Sequence, residues 1–418
     1  MSADAHAAFL TDFHHAATIG ATSNTGVDRQ AATDLDGEVR RWFAGWFRDR
    51  DRRVLVDEIG NMFGLYEWRE GAPFVLVGSH LDTQPLGGRF DGSYGVIAGM
   101  HLGDQLAQEI ASGSLEAPRF NLAVVNWFNE EGARFAPSVM GSSVFAGLFE
   151  LDDMLDVEDL GGTSVRKALA DIGFLGADQG PEAVGYAEIH IEQGRILERE
   201  GIDLGVVDRS WYTQKLDIEV LGEQSHTGAT AMADRRDALV GASEVVLMVR
   251  RVTQDFPDEA LVSSVGQLVV EPNSPIVVAR RVHLVADLRS GSPEIVQQAR
   301  QTLLEQIEAL AARDDLVINV KDFDVRPIRH FPPAGVELAE RVVGDLGLSS
   351  RRIQTMAGHD SVALNTMVPS VMLFIPSVDG VSHCEREFST DEDMIKGMTA
   401  LKALVLEMLR GELAAEDR

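Results

Sequence analysis

Residues 74–92 read Phe74-Val-Leu-Val-Gly78-Ser-His80-Leu-Asp82-Thr-Gln-Pro-Leu-Gly87-Gly-Arg-Phe-Asp91-Gly92. The apolar run Phe74–Val77, closed by a glycine, predicts a buried strand. Downstream, Val96–Ile110 places Val96, Ile97, Met100, Ala107 and Ile110 on one helical face. Strand, polar turn and helix in that order form the repeating unit of an α/β sheet, whose ligands gather at the carboxyl ends of the strands. Asn121–Phe128 and Val371–Ile375 read as further buried strands of the same sheet.

The middle of the chain has a different texture. Lys215–Leu221, Val262–Val270 and Val282–Leu288 alternate, whereas Ala238–Val252 and Pro293–Ala312 have helical periodicity. This β-α-β-β-α order predicts a small α+β domain with an antiparallel sheet. The expected organisation is a mixed-sheet α/β domain made of residues 1–208 and 328–418, with residues 209–327 inserted. At 418 residues, the chain is long enough for both cores.

The balance of 66 Asp and Glu against 37 Lys and Arg gives a net charge of −29. Binding nucleic acid or an anionic membrane surface needs clustered cations, so neither partner is expected. A single cysteine, Cys384, excludes an internal disulfide framework and fits a reducing compartment. The first residues lack the basic and apolar regions of a secretory signal, and no apolar run is long enough to span a membrane. These features predict a soluble cytoplasmic protein. The acidic stretches Asp152–Asp159 and Glu412–Asp417 read as solvated surface.

Of the eleven histidines, His6, His14, His15, His101, His283 and His330 lack a chemical neighbourhood. The others stand in richer segments. His80 leaves a strand end with Asp82 two residues on, so the imidazole can bind a metal while a carboxylate fixes its tautomer. Asp91 sits in a glycine-rich turn that permits close approach. Glu130 and Glu131 are adjacent carboxylates at the end of the strand Asn121–Phe128, a repulsive placement that a metal relieves. One can then be a ligand while its neighbour takes a proton from metal-activated water. Alternation puts His190 and Glu192 on one side of an extended segment, so either could be a ligand. His383 follows the strand Val371–Ile375. Each signal alone is more often structural, but His80, Asp91, Glu131, His190 and His383 all fall at or near predicted strand ends of one domain. Their N/O donor set, with a bridging Asp, suits Zn²⁺ or a similar ion.

Together these motifs resemble the aminoacylase-like zinc metallopeptidase superfamily. The closer similarity is to its amidohydrolase branch of N-carbamoyl-L-amino acid hydrolases, β-ureidopropionases and allantoate amidohydrolases. The resemblance runs in order through Gly78-Ser-His-Leu-Asp-Thr, Gly87-Gly-Arg-Phe-Asp-Gly, Asn129-Glu-Glu-Gly-Ala-Arg-Phe and His190-Ile-Glu-Gln-Gly. It continues through Gly222-x-x-x-His226-x-Gly-x-Thr230-x-Met232-x-x-Arg235-Arg-Asp-Ala-Leu and Ala357-Gly-His-Asp. It implies a di-metal exopeptidase-like catalytic domain with two divalent ions bridged by Asp91. One ion is also held by His80 and His190, the other by Glu131 and His383. Zn²⁺ is the foremost choice, with Mn²⁺, Co²⁺ and Ni²⁺ sharing the ligand set. The resemblance further makes Glu130 the general base and Asp82 the partner of His80. It makes the inserted domain a lid through which two copies dimerise, and His226 an oxyanion donor to the neighbouring subunit. Gln193, His359 and Arg289 would line the substrate pocket.

One departure bears on the substrate. Members that bind an amino-acid carboxylate pair the arginine with an Asn in Pro-Asn-x-x-Asn-Val-Ile-Pro-Gly. Here the stretch is Pro272-Asn-Ser-Pro-Ile-Val-Val-Ala-Arg, and Ile276 occupies the amide position. An apolar side chain cannot replace those hydrogen bonds, which argues against a plain α-amino acid carboxylate. Cys384 and Glu385 follow His383 where Asn-Pro is usual, and Cys384 reads as a buried small residue. The expected activity is hydrolysis of an amide or ureido C–N bond in a small N-carbamoyl-amino-acid-like compound. A dipeptide or N-acyl amine is the second reading. A non-catalytic binding protein is the third, and the poised base Glu130 argues against it.

Overall fold

The computed structural model describes residues 3–413, so the end of the acidic stretch Glu412–Asp417 lies outside the described residues. The chain divides into two units: residues up to Asp208 with those from His330 onward, and Arg209–Arg329. In chain order, the strands before residue 211 are β1 (Val54–Val56), β2 (Met62–Tyr66), β3 (Phe74–His80), β4 (Asn121–Trp127), β5 (Ala183–Ile191) and β6 (Leu204–Ser210). Those of the second unit are β7 (Tyr212–Leu221), β8 (Ser225–His226), β9 (Val262–Glu271), β10 (Val277–Val278), β11 (Arg281–Ser290) and β12 (Val317–Arg326). The chain then returns to the first unit with β13 (Ser350–Thr355) and β14 (Ser370–Ile375).

The first unit is built on one sheet of order β1-β2-β4-β3-β5-β14-β6-β13. At its centre β4, β3, β5 and β14 run parallel, in the register His80↔Trp127, Val77↔Ala187 and Phe374↔His190. These strands are covered on both faces, and Leu76, Val77, Val124, Val125, Leu373 and Phe374 are all buried. That explains why their sequences are unbroken apolar runs rather than alternating ones. The helix Ser93–Ala111 makes the crossover from β3 to β4, burying Val96, Ile97 and Met100. The helix Asp391–Arg410 buries Met398, Leu401 and Val405 in the same core. Its first turn carries Asp391, Glu392 and Asp393 behind the cap Thr390, whose side chain accepts from Asp393 N.

The glycine taken as closing the first strand does not end it. β3 continues to His80, and Gly78 adopts a φ of +154° inside the ladder. A Cβ there would stand 2.0 Å from the Val125 carbonyl oxygen, so glycine lets β3 and β4 stay paired to the end that carries the histidine.

The second unit is an antiparallel sheet of order β12-β7-β11-β9. Alternation along β7 and β11 buries Leu216, Ile218, Val220, Val282, Leu284, Ala286 and Leu288 on one face. There they join residues of the helices Ala238–Arg251 and Pro293–Asp314 in a separate core. The strand β12, absent from the order read in the sequence, pairs with β7 at the sheet edge. Its alternation is weak because its side chains are exposed or half-buried, with no fully buried row to mark it. No helix among the described residues is long and apolar enough to cross a membrane.

Gly78→Ala is expected to destabilise the first unit by about 2 kcal/mol or more, since the backbone carbonyl it meets cannot rotate away. Urea unfolding of purified protein measures this. An unchanged midpoint would mean that β3 and β4 have room to separate at this point.

Candidate metal centre

Because the four central strands run parallel, their carboxyl ends lie on one side of the sheet. His80 ends β3, Glu130 and Glu131 follow β4, His190 lies near the end of β5, and His383 lies in the loop after β14. Asp91 is presented between β3 and the helix Ser93–Ala111. Gly92 makes this possible with φ +64°, since a Cβ there would fall 2.4 Å from the His80 ring.

Two trios of donors result, each with its atoms within 4.8 Å of one another: His80, Asp91 and His190, and Asp91, Glu131 and His383. Asp91 belongs to both. Its Oδ1 is 2.9 Å from His190 Nε2 and 3.3 Å from His80 Nε2, and its Oδ2 is 3.3 Å from His383 Nε2. His383 Nε2 is also 3.4 Å from Glu131 Oε2.

The tautomers follow from what lies behind the rings. His80 Nδ1 is 3.0 Å from the Asp82 carbonyl oxygen, and His190 Nδ1 is 2.9 Å from that of Ile191. A carbonyl can only accept, so both Nδ1 atoms carry hydrogen. In the neutral ring each Nε2 then turns its lone pair toward Asp91. A lone pair and a carboxylate this close repel unless a metal ion or a proton lies between them, and the buried His80 Nε2 has no hydrogen-bond partner. The donor set therefore fits divalent transition ions. The Asp82 carboxylate lies 3.6 Å from His80 Nδ1, too far for a hydrogen bond. It instead accepts the backbone N–H groups of Glu130 and Glu131, each at 3.3 Å, and so holds the loop that carries both acids.

The electrostatics are those of acids packed out of water. Burial raises Glu130 well above the ordinary carboxylate range, with Asp360, Glu131 and Asp91 adding to the rise and His80 opposing it. Burial also raises Asp91, but His190, His383 and His80 outweigh it and leave Asp91 well below that range. His80 would be depressed by burial, yet Glu130 and Asp91 raise it. Glu130 Oε2 is 3.5 Å from His80 Nε2, at the edge of the first trio without belonging to it. A carboxylate in that place can exchange a proton with a reactant held at the centre.

Gln193 and His359 also reach this centre. Gln193 has φ +57° and donates from Nε2 to Asp91 Oδ2 at 2.7 Å. The His359 ring lies 4.6 Å from that of His190, with its Nε2 buried and without a hydrogen-bond partner. Burial and the neighbouring His190 keep His359 well below its usual pKa, so it is a neutral ring able to meet a ligand.

Three sequence-predicted residues belong to the second unit. His226 lies on β8, opposite Val277 of β10. Its Nδ1 accepts from Gly228 N at 2.9 Å and Ala229 N at 3.1 Å, which leaves the hydrogen on an exposed Nε2 that can donate. Ile276 adjoins this ribbon and is 66% exposed, although it is a large apolar residue. Arg289 forks onto Asp287, two residues earlier on β11, through Nε at 3.1 Å and Nη2 at 2.7 Å.

Besides the Asp82 carboxylate, which does not reach His80, two readings of the sequence are corrected. Glu192 is not beside the donors: its carboxylate accepts Ile196 N and Leu197 N at 2.7 and 2.8 Å, capping the helix Ile196–Glu200. Cys384 is half-buried rather than buried. Other contributors escaped the sequence. Gln84 steadies Glu131, donating from its backbone at 3.1 Å and from Nε2 at 2.9 Å. Glu387 is buried, and its Oε1 accepts the backbone N–H groups of Phe90 and Asp91 at 2.9 and 3.1 Å. Its Oε2 accepts Ser382 Oγ at 2.9 Å, and Ser382 lies 3.0 Å from Asp91 Oδ2. Glu387 thus ties the Asp91 turn to the His383 loop. A lone glutamate in a loop gives no sequence signal for that.

Residues 76–407 match the model of the peptidase family M20/M25/M40. The chain is 48% identical over 413 residues to a putative hydrolase of Mycolicibacterium smegmatis, covering 97% of this chain and 94% of that protein. It is 35% identical to the N-carbamoyl-L-amino-acid amidohydrolase of Rhizobium meliloti, covering 94% and 93%. An amidase of the hydantoinase/carbamoylase family from Burkholderia vietnamiensis superposes with a TM-score of 0.92 at 34% identity, covering 98% of each chain. The chain therefore belongs to the M20/M25/M40 peptidase family, a metal-dependent group, and it is an amide-bond hydrolase.

Glu387→Ala is expected to weaken divalent-cation binding by roughly tenfold or more, because Asp91 and His383 lose their common anchor. Glu387→Gln keeps an acceptor for the two N–H groups and is expected to stay near wild type. Titration calorimetry of chelator-stripped protein with Zn²⁺ distinguishes the two, and equal affinities for the alanine variant and wild type would remove Glu387 from this role.

Proposed function

We propose that the chain hydrolyses the C–N bond of a small N-carbamoyl or ureido compound at a centre of two divalent ions. Asp91 would bridge the ions, His80 and His190 would complete one site, and Glu131 and His383 the other. The observation that carries this reading is the pair of donor trios sharing Asp91, with Glu130 buried beside them but outside both. Zn²⁺ is the preferred occupant, since sets of one or two imidazole nitrogens with carboxylate oxygens suit it.

Divalent ions there supply Lewis acidity, which brings the pKa of water toward neutral and polarises a carbonyl. Glu130 takes the proton of the attacking water at a carboxylate oxygen as the new C–O bond forms. It then delivers that proton to the departing nitrogen as the C–N bond breaks. For a carbamoyl substrate, R–NH–CO–NH2 and H2O give R–NH2, CO2 and NH3. His359 and Gln193 orient the substrate beside the donors. In the same reading Arg209–Arg329 act as a lid and dimerisation domain, and two copies form a homodimer. His226 donates its Nε2 hydrogen to the carbonyl oxygen of a substrate in the neighbouring copy. Arg289 meets a substrate acid group. With Ile276 in place of an amide, the preferred substrate carries a less demanding acid group than an α-amino acid carboxylate. The reducing compartment implied by the single cysteine is the cytoplasm.

A screen of Zn²⁺- and Mn²⁺-loaded protein tests the reaction class. Ammonia release from N-carbamoyl and ureido compounds is expected, abolished by EDTA and restored by adding the ion back. Amine release from N-acyl amines or dipeptides alone would select the second reading, and no release from either panel would overturn hydrolysis at this centre. Glu130→Ala is expected to bind metal normally while losing about 100-fold or more in kcat; turnover near wild type would remove Glu130 as the base. His226→Ala is expected to cost about 100-fold in kcat at full metal content. Loss of metal in that variant would make His226 a ligand instead.

A further inference from the structure

Six arginines fall within residues 40–53 of a chain with 37 basic residues and a net charge of −29. Three of them have carboxylate partners: Arg40 with Asp36 at 2.7 Å, Arg50 with Asp104 at 3.8 Å and Arg53 with Glu67 at 3.3 Å. Arg41, Arg48 and Arg52 have none among the described residues, despite the surplus of acids. Arg41 makes one long contact, 3.5 Å to the Ile172 carbonyl, and Arg48 returns to the Ala44 carbonyl of its own helix at 3.2 Å.

These three converge with Arg53 on one cleft of ≈ 750 Å³ in the first unit, a size suited to a small organic molecule. Their convergence follows from local geometry. Arg41, Ala44 and Arg48 are spaced at three, four and seven residues on the helix Asp34–Arg48 and so share a face, while Arg52 and Arg53 lead directly into the edge strand β1. Ala44, Val54, Val56 and Ile172 add apolar surface between the guanidinium groups. Asp178 is the one carboxylate on the lining, and it is engaged by Val56 N at 2.8 Å. Arg52 stands over the Tyr66 ring, its guanidinium carbon 5.1 Å from the ring centre, a contact that restricts where the guanidinium can lie beside the cleft. A basic residue in the last helical turn offsets the helix dipole, which accounts for Arg48. It does not account for Arg41, two turns earlier, or for Arg52 beyond the helix.

We infer that this cleft binds a small organic anion bearing at least two phosphate or carboxylate groups, with its body against the apolar surface. The planar, weakly hydrated fork of arginine suits both oxyanions, and several guanidiniums with one engaged carboxylate favour a multiply charged ligand over a single charge. The site is separate from the metal donors in every residue that lines it.

Titration calorimetry of the full-length, metal-loaded protein tests the inference with three probes: fructose 1,6-bisphosphate, succinate and inorganic phosphate. Saturable binding of the bisphosphate or the dicarboxylate is expected, tighter than that of inorganic phosphate and weakened by added salt. Whichever of the two binds assigns phosphate or carboxylate as the recognised group. The variant pair R41E/R48E, at exposed positions with few contacts, is expected to lose tenfold or more in affinity while the melting temperature falls by no more than a few degrees, the effect of an acid in the last helical turn. Should the pair fail to fold, the single change Arg48→Ala is expected to show a several-fold loss. Chelator-stripped protein is expected to bind the probe as the metal-loaded protein does, which separates this cleft from an anion lodged at the metal centre. The inference is overturned if no probe binds, if the arginine variants bind unchanged, or if stripping the metal abolishes the signal.

Discussion

The parallel pairing of β4, β3, β5 and β14 is the constraint on which the rest of the first unit depends. Parallel strands bring all their carboxyl ends to one side, so residues far apart in the chain become neighbours without any one of them being long or flexible. His80, Glu130, Glu131, His190 and His383 are delivered in this way. The pairing also requires both faces of each strand to be covered, which is why these strands are apolar throughout. At Gly78 it requires the loss of a side chain so that the ladder reaches its last residue.

Packing five acids and several imidazoles at one strand edge is unfavourable unless their charges are answered. The structure answers them in layers. Backbone carbonyls fix the hydrogen on His80 and His190, Asp82 collects the N–H groups of the Glu130–Glu131 turn, and Glu387 collects those of the Asp91 turn. Each device removes freedom from a donor before any ion binds, lowering the cost of assembling the site. The His80 Nε2 lone pair is left for a cation. Glu130 stands one position aside, close enough to act on a reactant and held protonatable by burial.

Much of this was readable in the sequence because it rests on local patterns. Buried strands announce themselves as apolar runs, and histidines or paired acids at their ends are conspicuous against that background. What escaped was non-local. Glu387 acts on backbone N–H groups 296 and 297 residues away, and nothing near it in the chain signals that reach. Glu192 misled for a related reason. Alternation places it beside His190 only while the strand continues, but β5 ends at Ile191 and the carboxylate turns to a helix start. The strand β12 was missed because its exposed side chains leave little apolar period to detect.

The residue types and their order along the chain are enough to predict an α/β sheet with an inserted α+β unit and to single out N/O donors at its strand ends. They also establish that a large net negative charge need have no binding meaning of its own. Folding settles which acid does what. Asp91 joins both donor trios, Glu130 stays outside them, Asp82 holds a loop, and three arginines in a strongly acidic chain line one cleft with no carboxylate partner of their own. Distances of a few ångströms separate these roles, and they are fixed by ladder register and side-chain packing between segments that are remote in sequence.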